Sequence, residues 1–193
     1  MNKFILGSKS PRRIELFDKY ISHDFIHVDS FFDERQANLK AKYPFNYVKL
    51  LSYYKGLNVV KNYKESVVIT SDTIVYFKGD ILNKPKDYED AFRMLNELSN
   101  NTHKVYTGYS IFFNGKFIKS DYDISYVTFN KLEAEHIKKY ILEKSPYDKA
   151  GSYGIQEDDQ KYHLIKKYKG SFFNIMGLPI EKLKKDLKDL NLI

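Results

Sequence analysis

A mixed α/β fold is predicted for this chain on three observations. The β-branched apolar run at 67–70 marks a buried strand, and Asn114 and Gly115 stand between two strand-like segments. Ala91, Met94, Leu95 and Leu98 recur at helical spacing. The length of 193 residues suits one ordinary domain or two closely packed lobes, and 42 % hydrophobic residues suffice for a core.

Residues 4–7 are predicted as a short buried strand. Ser10 follows as a helix N-cap and Pro11 as the first helical residue, where its missing N–H costs nothing. Ile14, Leu16, Phe17 and Tyr20 give that helix a partly apolar face. A second helix is predicted over 46–61 from Val48, Leu51, Tyr54 or Lys55, and Val59. The strand at 67–70 is expected to end at Ser71 and Asp72, with 74–77 extended beyond it and Lys78, Gly79 and Asp80 forming a turn. A helix over 88–98 is broken at 99–103. Strands at 109–113 and 116–120 flank the Asn-Gly turn, whose residues both tolerate positive φ, and 126–129 adds a further strand. A helix is predicted over 132–143, a hairpin over 162–173 around Lys169 and Gly170, and a closing helix over 180–190 that aligns Leu183, Leu187 and Leu190. No repeat, linker or low-complexity tract interrupts the pattern.

Composition narrows the chemistry. Cysteine is absent, which excludes disulfides, thiolate metal sites and a cysteine nucleophile. The net charge of +7 suits nucleic acid or a smaller polyanion. Composition does not separate the two; only four of the 32 basic residues are arginine, so the dispersed lysines read mostly as solvated surface, and nucleic acid is the less expected partner. The apolar runs fall far short of the roughly 20 residues that span a bilayer. Lys9, Arg12 and Arg13 follow the brief FIL run too soon for a signal peptide, so a cytosolic protein is expected. The five histidines show no metal spacing, and GxSxG, Walker and Rossmann patterns are missing.

In SKSPRR, residues 8–13, a strand runs into a helix whose first backbone donors lie beside two arginines. That is an anion site or, equally, a capped surface helix. Asp72 and Thr73 follow an apolar strand, where a carboxylate can hold a metal or activate water, or merely form a turn. Lys84 lies in an extended segment before Pro85. Asp33 and Glu34, with Asp72, offer the hard oxygens that Mg²⁺ prefers. YDKAGSYGIQ, residues 147–156, combines two glycines with the amide of Gln156, which can read a base edge or belong to a tight loop.

Taken in order, SKSPRR with Glu15 and Leu16, SDT at 71–73, LNKP at 82–85, HKVYTG at 103–108, YDKAGSYGIQ and NIMGLP at 174–179 resemble the Maf family of nucleoside triphosphate pyrophosphatases. The resemblance covers nearly the whole chain. It implies one domain over 1–193, with a mixed twisted sheet, flanking helices and two lobes around a central cleft, similar to the inosine triphosphate pyrophosphatases. It also implies a divalent cation, Mg²⁺ or Mn²⁺, a homodimer, and cleavage of a nucleoside triphosphate to the monophosphate and pyrophosphate. On this resemblance Asp72 matches the catalytic carboxylate and a metal ligand, and Glu34 matches the acidic metal position with Asp33 beside it. Ser8, Arg12, Arg13, Lys55 and Lys84 match phosphate positions. Arg12, Thr73 and Gln156 look like the subgroup acting on dTTP and UTP, which makes modified pyrimidine triphosphates further candidate substrates. The chain departs from the family in Ser71 for alanine, in Asn83, and in Glu157 and Asp158 after Gln156.

Two other readings stand beside this one. A phosphatase forming an aspartyl phosphate at Asp72 is disfavoured by Ile74, where a second aspartate would be expected. A nucleic-acid-binding or cell-division regulatory protein without turnover is the non-enzymatic alternative.

Overall fold

In the computed structural model, which describes residues 2–32, 41–159 and 161–193, seven strands form one mixed sheet. They are β1 (Phe4–Leu6), β2 (Phe25–His27), β3 (Val67–Phe77), β4 (Asp80–Leu82), β5 (Thr102–Phe113), β6 (Lys116–Phe129) and β7 (Ile165–Lys169). The order is β2-β1-β3-β5-β6-β7, with β4 paired to β3. β1 lies parallel to β2 and β3, whereas β3–β4 and β6–β7 are antiparallel. Among the described residues the helices are α1 (Pro11–Tyr20), α2 (Pro44–Val60), α3 (Tyr88–Leu98), α4 (Ala134–Lys144), α5 (Phe172–Met176) and α6 (Ile180–Asp189).

The chain divides into two compact units. The first comprises Met1–Thr73, Thr107–Asp123 and Phe173–Ile193. Its core joins Ile5 and Val68 of the sheet to Val59 and Val60 of α2 and to Phe112. Phe17 of α1 is fully buried and meets the rings of Phe4 and Phe25 with centroids 6.0 and 4.8 Å away. α2 approaches the sheet so closely that a Cβ at Gly108 would lie 2.6 Å from the Val48 carbonyl, so only glycine fits beneath that turn of helix. The hairpin between β5 and β6 turns at Asn114 and Gly115, both at positive φ, as the sequence predicts. α6 is fastened through Asp186, which accepts from the buried Tyr109 hydroxyl at 2.6 Å and from Lys119 at 2.8 Å. Burial and then the Asp186 carboxylate push the Tyr109 hydroxyl pKa upward.

The second unit comprises Ile74–Tyr106 and Ile124–Phe172. Asp87 caps α3 by accepting from the Asp90 N–H at 2.9 Å, and Ala91, Met94, Leu95 and Leu98 form its buried stripe. α4 packs against α3, and its Ile137, Tyr140 and Ile141 are buried. Three short 3₁₀ turns, Pro146–Asp148, Ala150–Ser152 and Ile155–Glu157, follow α4.

Three expectations are corrected. β3 does not stop at Ser71 and Asp72 but runs unbroken to Phe77, because Ser71 is buried within the strand and the apolar pattern resumes at Ile74 and Val75. The region 162–173 is not a hairpin: β7 pairs with β6, and the chain beyond Gly170 turns into α5. The strand expected at 126–129 is the end of β6 rather than an element of its own. Short β2 and α5 had no sequence signal, being too brief for periodicity to register.

Candidate active site

β1 delivers the chain through Gly7 to Ser8, which is buried, and then into α1. Ser10 occupies the cap position and Pro11 the first helical position, as predicted, but the Ser10 side chain makes no capping bond. Its N–H instead donates to Ser8 Oγ at 3.2 Å, which tightens the turn before the helix. Arg12 and Arg13, both half-buried, stand in the first turn.

Asp72 lies in the middle of β3 and is 7 % exposed. Its Oδ1 accepts from Lys55 Nζ of α2 at 2.5 Å, with both side chains nearly buried. Two residues 17 apart in sequence are thereby joined in one ion pair, bringing together two of the predicted site residues. Nearby, Asp29 pairs with Lys9 at 2.7 Å. Its carboxyl is held below the usual value, first by the Lys9 hydrogen bond, then by the Phe31 N–H, and further by the charges of Lys9 and Lys55.

Arg13 faces protein oxygens. Its Nε donates to the Gly177 carbonyl at 2.7 Å, Nη1 to the Ser71 carbonyl at 2.8 Å and Nη2 to Thr73 Oγ1 at 2.9 Å. Ser71 Oγ also donates to the Gly177 carbonyl at 2.9 Å. Thr73 Oγ1 lies 3.0 Å from Thr107 Oγ1, and Thr107 donates to the Asn174 carbonyl at 2.8 Å. Gly177 sits at φ +109, and a Cβ there would come within 3.1 Å of Arg13 Nε and 3.2 Å of Thr73 Oγ1.

In the second unit, Lys84 and Gln156 are both exposed. The Asn83 carbonyl accepts from the Gly151 N–H at 3.2 Å, which draws the LNKP segment to the YDKAGSYGIQ loop. Buried Lys149 bridges Asp148 at 2.7 Å and Glu157 at 3.0 Å, and Glu157 also accepts from the Tyr140 hydroxyl at 2.9 Å. Tyr140 in turn accepts from the Gly154 N–H at 3.1 Å. Asp158 accepts from the N–H groups of Leu164 at 2.6 Å and Ile165 at 3.2 Å. Glu157 and Asp158 thus brace the loop that bears Gln156.

Sequence reasoning missed Thr107 and Lys149 as individual participants and named Ser71 and Glu157 only as departures from the family pattern. Thr107 and Gly177 fall inside the HKVYTG and NIMGLP blocks, so those blocks were the available signal. Glu34 and its neighbour Asp33 lie outside the described residues.

The Maf-like protein family model matches residues 3–190. A dTTP/UTP pyrophosphatase of Clostridium perfringens is 42 % identical over 192 residues, which cover 98 % of each chain. One of Acholeplasma laidlawii is 43 % identical, covering 98 % of this chain and 97 % of that protein. Among solved structures, the Ham1 protein of Staphylococcus aureus aligns with TM-score 0.46 and 13 % identity, over 83 % of this chain and 91 % of that one. A family match of nearly full length, met by relatives aligned from end to end, means that the chain belongs to the Maf-like protein family.

Proposed function

We propose that the chain is a nucleoside triphosphate pyrophosphatase that hydrolyses dTTP and UTP to the monophosphate and pyrophosphate. The observation that supports this most is the Asp72–Lys55 pair, a nearly buried carboxylate and ammonium at mid-strand. It stands in a chain 42 % identical, end to end, to a protein named for that activity.

A divalent cation fits the residues present. Asp72 offers a hard carboxylate, and Mg²⁺ is usually bound by one or two carboxylates together with substrate phosphates and water. Glu34 is the second carboxylate that the resemblance assigns. When bound, Mg²⁺ or Mn²⁺ neutralises phosphate charge and polarises the phosphoryl oxygens.

The remaining steps belong to the chain's own side chains. Lys55 fixes the direction of the Asp72 carboxylate, which orients a water toward the α phosphorus and accepts its proton as the bond to pyrophosphate breaks. The start of α1, with Ser8 and Arg12, stabilises charge on the departing pyrophosphate, and Lys55 adds to the same field. The resemblance assigns Lys84 to phosphate and groups Gln156 with Arg12 and Thr73 in the subgroup acting on dTTP and UTP. A homodimer and a cytosolic setting accompany this reading.

The test is a panel of canonical and modified nucleoside triphosphates with Mg²⁺ or Mn²⁺, reading monophosphate and pyrophosphate together. Equal yields of both products, loss of turnover on chelation, and a fall of roughly a hundredfold or more in Asp72→Asn are expected. Free phosphate from monoesters would instead favour the aspartyl-phosphate chemistry, and near-normal turnover in Asp72→Asn would remove Asp72 from its role.

A further inference from the structure

We propose that Arg13 is a positioning residue for Asp72 rather than a phosphate ligand, an inference that rests on Asp72 being the catalytic carboxylate. β1 ends at Leu6, and the Gly7 N–H reaches the Ile69 carbonyl of β3 at 2.8 Å just beyond it. Carbonyls two residues apart point to the same side of a strand, so the Ser71 carbonyl faces the edge that β1 has already left. Arg13 Nη1 supplies the next rung there, at 2.8 Å. A side chain takes the place of a strand.

The other two nitrogens extend the grip. Nη2 holds Thr73 Oγ1 and Nε holds the Gly177 carbonyl, to which Ser71 Oγ is also bonded. Two of the three acceptors therefore belong to the residues on either side of Asp72. Alternation along β3 puts the side chains of Ser71 and Thr73 on one face and that of Asp72 on the other, where Lys55 meets it. The guanidinium thus fixes the backbone at 71–73 from the side away from the carboxylate. Its planar fork serves three acceptors in three directions, which an ammonium on a flexible stem does not. Gly177 belongs to the same device, since a side chain there would crowd both Arg13 Nε and Thr73 Oγ1.

The experiment measures kcat and KM for dTTP, and backbone hydrogen exchange across residues 70–74, in Arg13→Lys, Arg13→Gln and Thr73→Val. Both Arg13 variants should lose kcat roughly 10- to 100-fold while KM stays within about twofold, with lysine no better than glutamine. Exchange across 70–74 should quicken in both. Thr73→Val keeps the shape and removes one acceptor, so it should show a smaller loss of the same kind; if the Arg13 variants fail to fold, it decides by the same two readings. The proposal is overturned by a rise in KM of about tenfold or more with kcat retained, by lysine restoring KM where glutamine does not, or by unchanged exchange. A wild-type chain that releases no pyrophosphate refutes the proposed function instead, and exchange alone then decides whether Arg13 holds this strand.

Discussion

Lys55 and Asp72 show how burial raises the stakes of a single contact. Removing one partner of such a pair leaves an uncompensated charge in a nearly dry place, at a cost of about 3–5 kcal/mol, so the fold depends on the same two residues as the proposed site. His103 presents the opposite case, a titratable group kept neutral. It is 1 % exposed, its Nε2 lies 2.7 Å from the Tyr153 hydroxyl, and Nδ1 has no hydrogen-bond partner among the described residues. Burial lowers its pKa from 6.5 to about 3. The unfolded chain therefore binds the proton first, and stability falls as pH drops from about 6.5 toward 3, by up to about 1.4 kcal/mol per pH unit. Urea unfolding at several pH values should show this slope, and His103→Gln should flatten it. An equal slope in the variant would locate the acid sensitivity elsewhere. Neither environment is legible in the sequence: His103 reads there as ordinary packing, and Lys55 as an apolar-face alternative to Tyr54 and, by resemblance, a phosphate position, not as the partner of Asp72.

At the scale of elements, α6 depends on one polar anchor as well as on its leucine stripe. Tyr109, wholly buried in β5, donates to Asp186 at 2.6 Å. Tyr109→Phe should cost about 1.5–3 kcal/mol, the usual value of a hydrogen bond to a charged group, and lower the melting temperature by roughly 3–12 °C. Calorimetry decides; an unchanged transition would mean that Lys119 and the leucine stripe hold the helix without the Tyr109 hydroxyl. The elements most legible in the sequence had local signals. α3 matches its predicted bounds because its cap and apolar stripe lie within a dozen residues, and the Asn114–Gly115 turn is specified by the backbone freedom of its own two residues. The misplaced end of β3 arose from polarity. Ser71, Asp72 and Thr73 look like a strand terminus, yet each has a hydrogen-bond partner, so the strand continues through them. The false hairpin at 162–173 came from Gly170, which ends β7 rather than turning it back on itself.

For the whole molecule, the net charge of +7 matters more for encounter than for fold. A triphosphate substrate should be drawn in by that field, so kcat/KM for dTTP should fall severalfold as ionic strength rises from about 0.02 to 0.5 M, where the screening length shrinks to a few ångströms. A flat salt profile would show that recognition rests on short-range contacts alone. The sequence by itself determined the class of fold, most helices, the cationic start of α1 and, through six ordered blocks, the family. Those signals are local, or depend only on the order of motifs. Tertiary structure alone decided the employment of the residues. Arg13 meets acceptors 58, 60 and 164 positions away, and Asp72 meets a lysine from a helix that precedes its strand. A guanidinium in sequence is a charge with five donors; whether those donors hold a phosphate or a strand depends on which oxygens the folded chain brings within about 3 Å.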